Sequence, residues 1–154
     1  MGERDTEKIF NSKSNGHRNY FREYAQYLFH LLANLDFEVI ENVAHLIIKR
    51  AKQKKTVFLI GNGGSATTAS HFATDLIHAG MLEHEPIIRA ISLVENIALV
   101  TALGNDKGYD QIFARQLKAL GKKGDILIAI SASGNSPNIL EAVKLASKMG
   151  IASV

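Results

Sequence analysis

The chain has 154 residues, 46% apolar and 21% charged, with a formal net charge of +3 and no cysteine. That is the size and balance of one ordinary globular domain, and it excludes disulfides and thiolate zinc sites as supports for the fold. No apolar run approaches the ~20 residues of a membrane span, and the mixed-charge N-terminus lacks a secretion signal's apolar core, so a cytoplasmic protein without a membrane partner is expected.

In chain order, residues 1–16 are polar, with Gly2, Asn11, Ser12, Ser14, Asn15 and Gly16, and read as a flexible arm. From Arg18 to Asn34 the residues Phe21, Tyr24, Ala25, Leu28, Leu31 and Leu32 recur at helical spacing, and Leu35 follows them. Asp36 is a candidate N-cap for a second helix with Phe37, Ile40, Val43, Ala44, Ile47 and Ala51 on one face. Two amphipathic helices ahead of the first strand have little of their own domain to cover, so residues 17–55 are expected to pack against another subunit. Lys49, Arg50, Lys52, Lys54 and Lys55 form the dense basic cluster. It reads as a solvated helix end favoured by the macrodipole; with no interleaved aromatics, nucleic acid is not an expected partner.

Residues 56–154 alternate strands with helices. Thr56 to Ile60 is a short, continuously apolar strand of the kind buried on both faces of a parallel sheet. A helix over Ala66–His78, a strand over Ile87–Leu93 and a helix over Ile97–Leu103 follow. A turn is expected at Gly104-Asn105-Asp106-Lys107-Gly108, then a helix over Asp110–Leu120 and a strand over Asp125–Ile130. A helix over Asn138–Met149 should stop at Gly150 before a last strand. The expected fold is α/β: a doubly wound parallel sheet, flavodoxin-like, in three layers, preceded by the two helices. Because that sheet would end on an uncovered strand, a further C-terminal part is expected beyond Val154.

Two strand-loop-helix units superpose, Ile60-Gly61-Asn62-Gly63-Gly64-Ser65 onto Ile130-Ser131-Ala132-Ser133-Gly134-Asn135. In such sheets ligands sit outside the carboxyl ends of the strands. In the second loop Ser131, Ser133 and Ser136 offer hydroxyl donors, Gly134 permits close backbone approach, and Pro137 suits the first helical position, together a candidate phosphate cradle. Helix capping alone accounts for Ser136-Pro137 but not for the serines and glycine before it. The loop has neither the lysine of a nucleotide P-loop nor a dinucleotide fingerprint, so no nucleotide cofactor is expected. In the first loop, Gly63 or Gly64 can serve a tight turn of positive φ, a close ligand approach, or both. His71, Asp75 and His78 share one helix face at i, i+4 and i+7. That face can hold a metal or a proton, or be a solvated surface. Asn105-Asp106 reads first as an Asx-turn and second as part of a pocket.

Taken together these motifs resemble the sugar isomerase (SIS) domain family, and most nearly its phosphoheptose isomerase branch. The resemblance covers Asp36 to Val154 and rests on Gly61-Asn62-Gly63-Gly64-Ser65, His71-Phe72-Ala73, Gly104-Asn105-Asp106 and Ser131-Ala132-Ser133-Gly134-Asn135-Ser136-Pro137-Asn138. It implies an aldose–ketose isomerase that converts sedoheptulose 7-phosphate to glycero-manno-heptose 7-phosphate for nucleotide-heptose synthesis. The implied substrate-binding set is Asn62, Gly63, Ser65, Asn105, Asp106, Ser131, Ser133 and Ser136, the serines on the phosphate and Asn62 with Ser65 on the sugar. His71 matches a zinc ligand of some members, and Asp75 stands where the family's acid/base carboxylate is typically Glu. Asp is one methylene shorter, and about an ångström of misplacement can cost on the order of 10²-fold in rate. The family's remaining Gln and His partners lie beyond Val154. A homotetramer with sites between subunits is also implied. The competing expectation is a non-catalytic sugar-phosphate sensor, or an assembly factor associated with a replication initiator, built on the same fold.

Overall fold

Parallel strands in the order β2-β1-β3-β4 form the sheet of the computed structural model, β1 being Thr56–Gly61, β2 Arg89–Ser92, β3 Ile126–Ile130 and β4 Ala152–Ser153. The structure describes residues 16–82 and 86–154, so the arm expected over 1–16 lies outside the described residues apart from Gly16. The helices are α1 (Gly16–Ala33), α2 (Phe37–Lys52), α3 (Gly64–Ala79), α4 (Ile97–Lys107), α5 (Ile112–Leu120) and α6 (Pro137–Met149), with a 3-10 turn at Tyr109–Gln111 before α5. The chain divides after Ile40 into two compact units, and the sheet belongs to the second.

β1 explains the arrangement. Its register pairs Val57 with Ala90 on one side and with Ile126 on the other, so both of its edges are occupied. Successive side chains point to opposite faces. Val57 and Leu59 join Ile47, Ala69, Ala73 and Leu76 in a core beneath α2 and α3. Phe58 and Ile60 join Phe113, Leu117, Ile139, Ala142 and Ala146 beneath α5 and α6. Helices therefore cover both faces, and the expected three-layer, doubly wound fold is present. At the amino end Asp125, 4% exposed, ties the central strands together. Its carboxylate accepts from Thr56 N at 3.0 Å and from Lys122 N at 2.7 Å.

Local signals account for several element ends. Asp36 Oδ1 accepts from Val39 N at 3.2 Å, the capping bond expected for α2. Gly150 is left-handed (φ 69°, ψ 31°) and stops α6 as expected. The expected turn at Gly104–Gly108 is instead the last turn of α4, which ends only at Gly108 with φ 96°. Gly, Asn and Asp are poor helix formers, and a side chain at Gly104 would lie 3.8 Å from both Ile112 and Tyr109. That is ordinary van der Waals contact, so packing does not demand a glycine at 104, and the helix runs through these weak formers to Gly108. The strand expected over Ile87–Leu93 is confined to Arg89–Ser92.

In the basic cluster Lys49, Arg50 and Lys52 occupy the last turn of α2, and Lys55 Nζ donates to the Lys123 carbonyl at 2.8 Å. On α1 the rings of Tyr20 and Tyr24 stack at 6.3 Å, while Phe21, Phe29 and Leu32 are exposed. Among the described residues no helix is long and apolar enough to cross a membrane.

Candidate functional site

From β1 the chain steps to β2 on one side of the sheet, then returns past β1 to β3 on the other. The loops leaving the carboxyl ends of β1 and β3 therefore diverge, which is the topological switch point where open α/β sheets bind ligands. The first loop turns at Gly63 (φ 53°) and closes with Ser65 N donating to the Asn62 carbonyl at 2.9 Å. The second turns at Gly134 (φ 67°). No atom lies within 4 Å of where a side chain at Gly63 or Gly134 would begin, so both turns are open on that side. Between the loops lies a cleft of about 210 Å³ lined by Asn62, Ser65, Ile130, Ser131, Ala132, Ser133 and Ser136.

Every residue lining this cleft is uncharged, so what these residues offer a charged ligand is dipoles. Gly134 N donates to Ser131 Oγ at 3.1 Å, and Asn135 N donates to Ser133 Oγ at 3.2 Å. With their oxygens engaged as acceptors, these hydroxyls have their protons to offer a ligand. Ser136 occupies the N-cap of α6 but makes no capping bond with its side chain. Its hydroxyl is not consumed by the helix, and the capping explanation for that serine falls away. Helices α3 and α6 both begin at the cleft, and their N-terminal dipoles favour an anion.

A polar cluster absent from the sequence reading joins the loops. Asn62 Nδ2 donates to Asn138 Oδ1 at 2.9 Å, and Asn138 Nδ2 donates back to Asn62 Oδ1 at 2.8 Å. Tyr109 OH donates to the same Asn62 oxygen at 3.2 Å. Asn138 is 2% exposed. A signal for it existed: Asn138, Ala142 and Ala146 are spaced four apart, which places a carboxamide on the buried stripe of α6.

The remaining candidates lie apart from the cleft. His71 Nε2 and Asp75 Oδ2 are 3.7 Å apart on α3, with side chains 78% and 62% exposed. At ~1.5 Å per residue Asp75 lies roughly 15 Å along the helix axis from Ser65. His71 lines a wider groove of about 640 Å³ with Thr67, Ser70, Thr74, Ser92 and Glu95, among others. His78 is exposed near the end of α3. Asn105 Nδ2 donates to Asp106 Oδ1 at 2.9 Å on the last turn of α4, and neither residue lines the cleft.

As a zinc pair, His71 and Asp75 have suitable chemistry, since two ligands on tetrahedral zinc sit roughly 3.3 Å apart at ordinary bond lengths. Their 3.7 Å separation needs only a small rotamer adjustment. They supply two donors, and among the described residues no group of three or more His, Cys, Asp or Glu is placed to hold a metal.

The SIS domain family model matches residues 19–154. The phosphoheptose isomerase of Campylobacter concisus is 45% identical over 73% of this chain and 59% of its own length. A probable phosphoheptose isomerase of Thermoplasma acidophilum is 41% identical over 76% of this chain and 64% of its own. Among solved structures, a phosphoheptose isomerase from Francisella tularensis superposes with a TM-score of 0.79 at 34% identity, covering 88% of this chain and 70% of that one. The Neisseria gonorrhoeae phosphoheptose isomerase gives 0.76 at 33% identity, with the same coverage. The chain spans about three fifths of the length of the relatives it matches.

Proposed function

The chain belongs to the SIS domain family, in its phosphoheptose isomerase branch, and from that premise we propose that the protein isomerises sedoheptulose 7-phosphate to glycero-manno-heptose 7-phosphate. The observation that carries the reading is the uncharged, donor-lined cleft at the switch point, with Ser131, Ser133 and Ser136 facing Asn62 and Ser65. Hydroxyl protons and helix N-termini suit a phosphate ester, and the absence of a P-loop lysine in either loop argues against a nucleoside triphosphate.

The chemistry moves two protons, one between carbons and one between oxygens. A base removes a proton from C1 of the ketose, the electrons form a C1–C2 enediol, and the proton returns at C2, leaving the aldehyde at C1. A hydroxyl proton passes from O1 to O2, so atoms and charge balance and no redox cofactor is consumed. Asp75 is the base in this reading, working with the phosphate end held by the serines. Zinc, where bound, would be held in part by His71 and Asp75 and would polarise the carbonyl and hydroxyl oxygens.

The cleft of about 210 Å³ is smaller than the ~300–1,000 Å³ usual for a ligand of this size, and Asp75 lies far along α3 from it. Both observations support a site completed by other protein surface, in a homotetramer whose subunits share sites. The protein would act in the cytoplasm, in the supply of nucleotide-heptoses for lipopolysaccharide or capsule. The non-catalytic sensor reading has less support, because the relatives are named isomerases and a sensor has no use for a carboxylate at Asp75. The test is turnover of sedoheptulose 7-phosphate by the full-length protein, followed by NMR. Formation of the aldose phosphate is expected, and no turnover with or without added zinc rejects the proposal.

A further inference from the structure

We infer that Asn138 is a positioning residue, which sets the orientation of Asn62 so that Asn62 meets the cleft as a hydrogen-bond donor. The inference rests on the cleft being the substrate site, and three observations carry it.

The first is that the direction of the amide pair is not ambiguous. Ile139 N is shared between the Ser136 carbonyl and Asn138 Oδ1, each at 3.0 Å, and a backbone N–H can only donate, so an NH2 group in place of that Oδ1 would set donor against donor. This identifies the oxygen of Asn138, so its Nδ2 must be the group that faces Asn62 Oδ1 at 2.8 Å. The orientation of Asn62 follows in turn.

The second is the occupancy of Asn62. Its Oδ1 accepts from Asn138 Nδ2 and from Tyr109 OH, which uses both lone pairs. Its Nδ2 gives one proton to Asn138 and keeps one. Asn62 lines the cleft, and what it has left to present there is an N–H. Beside it Ser131 and Ser133 have their oxygens engaged by backbone amides. Asn62, Ser131 and Ser133 thus offer donors to phosphate, hydroxyl or carbonyl oxygen.

The third is burial. Asn138 is 2% exposed, its two bonds to the half-buried Asn62 are part-buried, and a buried amide left without its partner is costly. Reorienting Asn62 would leave two oxygens facing each other at that separation, so the observed arrangement is held firmly.

The test compares Asn138→Asp, Tyr109→Phe and Asn62→Ala in the full-length protein. Asn138→Asp keeps size and keeps an acceptor for Ile139 N, but it cannot donate to Asn62. It is expected to lower kcat/KM for sedoheptulose 7-phosphate by roughly 10- to 100-fold, and Tyr109→Phe by about threefold. Neither should lower it further in an Asn62→Ala background, since residues acting through one group are non-additive. Inhibition by inorganic phosphate, which reports the serine loop, should stay within about twofold in both variants. Losses that add to Asn62→Ala, or phosphate affinity that falls in step with turnover, would overturn the inference in favour of a merely structural role. If Asn138→Asp does not fold, Tyr109→Phe, which changes only an exposed hydroxyl, carries the same comparison. If the wild-type protein turns over no heptose phosphate, the isomerase proposal fails but this inference does not. Side-chain amide exchange in the isotope-labelled protein then decides it: the Asn62 protons should exchange at least about tenfold faster in Tyr109→Phe or Asn138→Asp. Equal rates in wild type and both variants would reject it.

Discussion

Gly61 ends β1 where the backbone of α3 comes back over it. A side chain there would be driven into the carbonyl carbon and oxygen of Ser65, which belong to the first turn of α3 and have no flexible end that could yield. Gly61→Ala is expected to destabilise the fold by about 1–3 kcal/mol or more in urea denaturation, and to distort the loop carrying Asn62. Asp75 is the opposite case, an exposed carboxylate whose replacement leaves packing alone. Asp75→Asn should lower turnover by roughly a hundredfold or more, the scale of a lost acid/base group, while phosphate binding persists. Unchanged turnover on a fully folded variant would remove Asp75 from the mechanism.

The central strands depend on one buried carboxylate at their amino end. Asp125 accepts from Thr56 at the start of β1 and from Lys122 ahead of β3, so Asp125→Ala strands two backbone donors at once. Both bonds are part-buried and water can reach the freed donors, so the expected loss is about 1–3 kcal/mol in all, seen as a lower urea midpoint with an unchanged slope. The sheet itself was readable because β1 is buried on both faces and appears as an unbroken apolar run, Val57 to Ile60. The stop of α6 was readable because Gly150 does what its local conformation requires. Gly104 to Lys107 are the converse case: their residue types favour a turn, yet α4 runs through them and stops only at Gly108. Asn138 closes the serine-loop motif, yet its partner lies 76 positions earlier, a separation over which no periodicity reaches. The His71 and Asp75 pair was visible as an i, i+4 spacing, but its distance along α3 from the serine loop was not.

At the scale of the whole molecule, α1 exposes Phe21, Leu32 and Phe29, the last with 73% of its surface accessible. Aromatic exposure of that kind on one amphipathic helix is a mark of an interaction surface. In the proposed homotetramer Phe29→Glu should shift sedimentation toward smaller species and reduce turnover with it. Secondary structure by circular dichroism should stay unchanged, because an exposed side chain supports no packing within its own subunit. An unaltered sedimentation profile would take that face out of the interface.

The clasp between Asn62 and Asn138 bridges segments that are remote along the chain. Its two halves meet only after β1 and β3 have aligned, so the binding cleft cannot exist in a partly folded chain that has made only local contacts. Pairings of such long sequence separation form slowly and late. During synthesis the polypeptide would have to release Asn138 from the ribosome before any ligand could engage it. If the proposed substrate is right, the time at which a nascent chain first retains a phosphorylated sugar becomes a clock for closure of the central ladder.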